Sequence, residues 1–325
     1  MTGRRRAAGP VPAGRPHDPV DLRPSVGSVA LPSPVLAASG TAGHGAELGA
    51  YFDLGAIGAV VTKSLSADAW PGNPGPRVHE TPAGMLNSVG LQGPGVDAWL
   101  ADELPALQRA GARVVASIWA TTVAGYARAA DRLRGAPVIA VEVNLSCPNT
   151  EHGGSGMFAQ DPVATAEVLA ATAGCGLPRW AKLTANVTAL APIAAAAVEG
   201  GAEAVVLVNT VLGLAVDPER RTYRLGSAER GGGLSGPAIH PIALRAVHDV
   251  HRALPDLPIV GVGGVRDAAS AAAMLLVGAS AVEVGTATFA DPRAPLAVQL
   301  DLARWLAERG EARAADLVGA LGDRA

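Results

Sequence analysis

Eight short apolar runs recur along this chain, and between most of them lies a stretch with the composition of one helix. The runs cover 35–38, 57–62, 113–118, 138–143, 179–183, 204–208, 259–262 and 281–284. Ala-rich helical stretches cover 123–133, 162–173, 192–200, 242–253 and 268–277. A strand that is apolar along its whole length has both faces buried, and that requires a parallel sheet covered by helices. Eight such units predict a closed (β/α)8 TIM barrel, with an open doubly wound sheet as the alternative.

Composition narrows the remaining choices. Hydrophobic residues make up 49% of the 325, enough for a large core, while aromatics supply only 3%. A formal net charge of −3 gives no broad basic field, so a nucleic-acid partner is not expected. No apolar run approaches membrane-spanning length, and no apolar stretch follows the basic start as in a secretory signal. The expected location is the cytoplasm, without a membrane. Two cysteines, Cys147 and Cys175, supply neither a disulfide framework nor the four thiolates of an iron–sulfur cluster, and no metal site is expected. Residues 1–22, rich in Arg, Pro, Gly and Ala, read as a disordered tail, and 23–325 as one barrel domain.

A barrel gathers its chemistry on the loops that follow its strands. Polar residues fall there with regularity: Ser39-Gly40-Thr41 after the first run, Lys63-Ser64 after the second, Asn144 to Asn149 after the fourth, and Lys182 at the end of the fifth. Asn209-Thr210 follows Val208, Gly263-Gly264 the seventh run and Gly285-Thr286 the eighth. Glycines after the seventh and eighth strands let backbone N–H groups approach an anion, and Gly231 to Gly236 adds a further flexible loop. No dinucleotide fingerprint or Walker loop is present, so the anion belongs to a mononucleotide such as FMN or to a sugar phosphate. Lys182 is placed to stabilise negative charge on a bound flavin, or else forms a structural salt bridge.

The opposite side of the mouth carries amides. Thr81 to Leu91 is a Gly/Pro-punctuated segment containing Asn87. With Asn144, Asn149 and Asn209 it supplies carboxamides that match the alternating C=O and N–H edge of a cyclic imide. Lys63 offers a cation for a carboxylate. Cys147, between Asn144 and Asn149, is the candidate reactive group, and residues 150–158, with their glycines, form a candidate lid.

These residues resemble the dihydroorotate dehydrogenase family, from about Val26 to the C-terminus. The resemblance rests on Ala38-Ser39-Gly40-Thr41, Lys63-Ser64, Gly72-Asn73-Pro74, Met85-Leu86-Asn87 through Gly90-Leu91-Gln92, and Asn144-Leu145-Ser146-Cys147-Pro148-Asn149. Lys182-Leu183, Asn209-Thr210, Gly233 to Ala238 and Gly263-Gly264 continue it, and His152-Gly153-Gly154 is most similar to the class 1B catalytic subunit. The resemblance implies oxidation of dihydroorotate to orotate in de novo UMP biosynthesis. It implies FMN held by Ser39, Lys63, Ser64, Ser117, Asn144, Lys182, Val208, Gly236, Gly263, Gly264, Gly285 and Thr286. It implies substrate held by Lys63, Asn87, Ser88, Val89, Gly90, Leu91, Asn144, Asn149, Asn209 and Thr210, with Cys147 as the base at C5 while hydride leaves C6. It also implies a homodimer or a heterotetramer with an electron-transfer partner bearing FAD and a [2Fe–2S] cluster. Ser117 and Gly93 stand where the family commonly has Asn, and Ser33 replaces an Asn before Pro34. Such departures would suit a paralogous FMN oxidoreductase acting on another dihydropyrimidine or cyclic imide. A non-catalytic assembly subunit is the other alternative, and Cys147 argues against it.

Overall fold

The computed structural model describes residues 20–146, 156–227 and 231–322. Eight parallel strands form a closed barrel: β1 (Val35–Ala37), β2 (Ala59–Val61), β3 (Val114–Ile118), β4 (Ala140–Asn144), β5 (Arg179–Lys182), β6 (Ala204–Leu207), β7 (Ile259–Val262) and β8 (Ala281–Val284). Each pairs with the next in chain order, and β8 returns to β1 with Val282 opposite Val35. That closure excludes the open-sheet alternative.

Both faces of every strand are buried, and they sort into two separate apolar clusters by the period-two alternation of a strand. Inward-facing Leu36, Val61, Val115, Trp180, Val206 and Val260 fill the barrel. Outward-facing Val35, Val60, Ala116, Val141, Val205 and Val282 pack against the helices. With so few aromatics, small Ala side chains such as Ala140, Ala204 and Ala281 complete the interior around the single large Trp180.

The helices begin where their sequences specify. Thr122 accepts from the Gly125 N–H ahead of Val123–Arg132, and Asp161 accepts from Val163 and Ala164 ahead of Pro162–Ala171. Asp267 and Ser270 form a reciprocal capping box at Ala268–Leu276. Proline occupies the first turn of Ala191–Glu199, His240–Ala253 and Ala294–Glu308, where its missing N–H costs nothing. Ser33 has a structural role: its hydroxyl meets the Gln299 side chain and accepts from the Val35 N–H.

The two barrel ends are treated differently. A hairpin, Ser25–Val26 with Val29–Ala30, closes the bottom by adding Val26, Val29 and Leu31 to the interior cluster. Over the top, Val78–Thr81, Gly84–Asn87, Gly232–Ser235 and Val211–Gly213 form a four-stranded antiparallel sheet built from the connections after β2 and β6. The chain joins the fold earlier than its composition suggests. Residues 20–22, read as tail, are held by Asp21, which bonds to Ala312 O and accepts from the Ala314 N–H, while Val20 and Leu22 pack on the outer core.

Candidate active site

A cavity of about 290 Å³ opens at the carboxyl end of the barrel, beneath the antiparallel sheet. It is lined by Ser39, Lys63, Ser64, Asn87, Val89, Gly90, Leu91, Asn144, Lys182, Val208, Asn209 and Thr210 on one side and by Gly236, Gly263, Gly264, Gly285 and Thr286 on the other. Nearly all the residues expected from the strand-end pattern therefore meet in one space.

The glycine side is shaped as a cradle. Gly236 and Gly264 adopt φ of +91° and +71°, the left-handed region that side chains resist. Gly40 and Gly285 are open in a different sense. A Cβ on Gly40 would meet nothing within 4 Å, and one on Gly285 would touch only Ala38, at 3.5 Å. These glycines leave room rather than relieve a clash. Thr286 donates its hydroxyl to Ser235 Oγ at 2.8 Å, which places two further hydroxyls at the same end. Small residues, hydroxyls and backbone amides around open space are the donor set of a phosphate monoester.

The amide side is held in register by its own hydrogen bonds. Asn144, the last residue of β4, donates from Nδ2 to Ser64 Oγ at 3.1 Å and accepts at Oδ1 from Asn209 Nδ2 at 3.2 Å. Asn209 Oδ1 in turn accepts from the Thr210 N–H at 2.8 Å, and Asn87 Nδ2 donates to Gly233 O at 3.3 Å. Lys63 lies at this rim. Burial, and then the neighbouring Arg77 cation, pull its pKa below the ordinary lysine value. No carboxylate among the described residues acts on it, so the ammonium is available to an anionic ligand. His44 is close by: burial and then Lys63 lower its pKa, and its Nε2 is buried without a partner. A Cβ on Gly93 would lie 3.2 Å from that Nε2, a close approach that any larger residue there would have to displace.

At the cavity floor Lys182 meets two carboxylates that sequence patterning did not single out. Lys182 Nζ is 3.1 Å from Glu142 Oε2 and 3.0 Å from Glu283 Oε2, and both carboxylates are fully buried. Burial alone would lower the Lys182 pKa, but the two carboxylates outweigh it and raise it. Burial pushes Glu283 up to about 8, with Glu142 adding repulsion against the pull of Lys182. Lys182 thus lines the cavity and also forms the buried ion pair that is its alternative reading.

Two of the expected residues do not line the cavity. Ser117 does not reach the cavity wall; it is fully buried below it, donating to Glu142 Oε1 at 2.8 Å and lying 2.9 Å from Ser64 Oγ. As an inward-facing residue within β3 it sits one layer too deep. Ser88 turns away from the cavity, where its hydroxyl and carbonyl accept from Asn73 Nδ2, because alternation sends its neighbours Asn87 and Val89 inward instead. Met85, Ser146, Ser235, Ile239, Val262 and Phe289 also line the space. Of these, Met85, Ser146 and Ser235 sat inside motifs already noted, while Phe289 carried no signal.

Cys147 and Asn149 lie outside the described residues, as does 150–155 of the candidate lid. Both flanks are fixed. Ser146 lines the cavity and its N–H donates to Asn144 Oδ1. On the far side Phe158 is fully buried, edge-on to Tyr126 with centroids 5.4 Å apart, so the end of the segment read as a lid is an anchor.

A closed barrel whose mouth combines an anion cradle, an available cation and converging amides is the architecture of a barrel enzyme that handles a small anionic compound. Residues 22–306 match the family model described as dihydroorotate dehydrogenase. A relative from Solibacter usitatus, provisionally named dihydroorotate dehydrogenase A (fumarate), is 47% identical over 302 residues, covering 92% of this chain and 98% of its own. Two relatives named dihydroorotate dehydrogenase B (NAD(+)), catalytic subunit, are similar to the same degree. The one from Pelobacter propionicus is 44% identical over 93% of this chain and 98% of its own, and the one from Desulforudis audaxviator 46% over 91% and 96%. The chain belongs to the dihydroorotate dehydrogenase family of oxidoreductases.

Proposed function

We propose that this protein oxidises dihydroorotate to orotate in pyrimidine biosynthesis, using FMN bound at the barrel mouth. The observation that carries this reading is the single cavity joining a phosphate-type cradle at Gly236, Gly263, Gly264, Gly285 and Thr286 to Lys63 and the amides of Asn87, Asn144 and Asn209. The cradle would hold the phosphate of FMN, and Ser64, Asn144 and Lys182 would face its ring. FMN bound there supplies a two-electron hydride acceptor.

The chain's own residues then divide the remaining work. Lys63 takes the substrate carboxylate, and the amides pair with the ring's C=O and N–H groups in a fixed orientation because each is already braced by a neighbour. Cys147 is the base that removes the C5 proton as hydride leaves C6. An ordinary thiol titrates at about 8.5, so this base needs surroundings that favour its thiolate. Orotate leaves with its carboxylate released from Lys63.

The electrons leave to a separate acceptor. With two cysteines the chain has too few thiolates for a [2Fe–2S] cluster, so an NAD-linked route requires a partner subunit carrying FAD and the cluster, assembled with a homodimer of this chain as a heterotetramer. Such an enzyme works in the cytoplasm, and no helix among the described residues is long and apolar enough to cross a membrane. The test is direct. The purified chain should show a flavin absorption band that bleaches on anaerobic addition of dihydroorotate. A colourless protein that takes up no FMN, or a flavin band unmoved by dihydroorotate, would overturn the reading. Reoxidation of the bleached protein by fumarate, compared with NAD plus a co-expressed partner, separates the two acceptor types.

A further inference from the structure

Three hydroxyls run from the cavity into the barrel core. Ser39, on the cavity wall, lies 3.4 Å from Ser64 Oγ. Ser64 lies 2.9 Å from Ser117 Oγ, and Ser117 donates to Glu142 Oε1 at 2.8 Å. Because Ser117 gives its own proton to Glu142, Ser64 is the donor in its contact with Ser117. The chain is therefore polarised toward Glu142. At its end two carboxylates share one ammonium, and Glu283 Oε1 has no hydrogen-bond partner.

If all three ionised, this dry layer would carry one uncompensated negative charge, which burial penalises heavily. One proton on the carboxylate pair makes the layer neutral. No other charged group among the described residues is positioned to do this. The strands flanking Glu283 place Leu36 (β1) and Val262 (β7) opposite it, and Glu142 and Lys182 stand opposite Ser117, Trp180, Asn144 and Val206, none of them charged. A glutamate pair with one shared counter-ion and a hydroxyl path to a cavity is a proton store.

Resting on the reading of the cavity as a flavin site, we propose that Glu283 and Glu142 form a buried proton store beneath the cofactor, filled through Ser39, Ser64 and Ser117 when negative charge develops above Lys182. The balance is simple. Dihydroorotate supplies the hydride to the cofactor and its C5 proton to Cys147. At and above about pH 8, where the pair rests ionised, one further proton from solvent converts a carboxylate of the pair to a carboxylic acid, and it is released when the electrons depart. The raised pKa of Glu283 puts this exchange in mildly alkaline solution. Glu283 touches neither substrate nor cofactor and is a positioning residue, acting through Lys182.

The test is a spectroelectrochemical titration of the FMN-loaded protein across pH, comparing wild type with Glu283→Gln and, as a second isosteric variant, Glu142→Gln. Either substitution leaves a neutral one-to-one pair with nothing to titrate. Wild type should take up measurably more protons per two electrons than either variant at and above about pH 8, where the raised carboxyl rests ionised before reduction. Ser117→Ala should keep that extra uptake at equilibrium but reach it more slowly in stopped-flow proton release with a pH indicator. Equal potential-against-pH slopes in wild type and both variants would overturn the store and leave the flavin reading standing. Failure of every chain to take up FMN would overturn both.

Discussion

Lys63 shows how burial turns a common residue into a reporter of its ligand. Burial first, and Arg77 second, lower the pKa of its ammonium, so it gives up its charge at a lower pH than an exposed lysine. A substrate carboxylate requires the charged form. The KM for dihydroorotate should therefore begin to rise at a lower pH than the titration of an exposed lysine would give, and Lys63→Arg, which stays charged, should flatten that rise. Lys63→Met removes a charge-assisted hydrogen bond of about 1.5–3 kcal/mol, which corresponds to roughly 10- to 150-fold in kcat/KM, mainly through KM. An unchanged KM in Lys63→Met would move the carboxylate elsewhere. Cys147 makes the complementary prediction. Cys147→Ala should retain the flavin band but lose about 10²- to 10⁴-fold in dihydroorotate turnover, the usual contribution of a positioned base, as measured by anaerobic flavin bleaching.

At the scale of the element, the glycines that end strands are doing different jobs, and substitution separates them. Gly84, in the sheet over the mouth, has no room: a Cβ there would lie 1.9 Å from Ser235 O. Gly84→Ala should break the pairing of Gly84–Asn87 with Gly232–Ser235, displace Asn87 and lower stability together with substrate affinity. Gly285, at the end of β8, has room, since its added methyl would rest 3.5 Å from Ala38. Gly285→Ala should leave stability within about 0.5 kcal/mol while weakening FMN binding tenfold or more in a fluorescence titration. Equal FMN affinity in that variant would place the phosphate away from β8.

The barrel as a whole stands on an interior that is apolar at the bottom and ionic near the top. Trp180, fully buried in the lower layer, is its largest filler. Trp180→Ala should cost about 3–5 kcal/mol in urea unfolding, because small neighbours cannot collapse into the hole. The ionic layer makes stability depend on pH. Glu283 is raised from 4.5 to about 8 in the folded barrel. A carboxyl raised on folding stabilises fully below its unfolded value, and that stabilisation is lost as pH rises through the folded one. Wild type should lose more stability than Glu283→Gln between about pH 6 and 9, a comparison that needs no cofactor. Parallel stability curves would show that Glu283 is already ionised at pH 6.

What the sequence determined by itself was the set of strands, their parallel arrangement and the end of the barrel that carries chemistry. Fully buried strands must be apolar throughout, as in 204–208 and 259–262, and loops after strands must hold whatever residues do not belong in a core. The same logic made Lys63, Asn144 and Asn209 legible. Tertiary structure alone decided which of those residues share a space, that Ser88 and Ser117 do not reach it, and that Glu142, Lys182 and Glu283 meet. Each glutamate shows in the sequence only as one charge inside an apolar run, in Val141-Glu142-Val143 and Val282-Glu283-Val284. Period-two alternation can put such a residue inside a barrel, but its counter-ion comes from strands 40 and 101 residues away. That distance closes only when the eighth strand returns to the first.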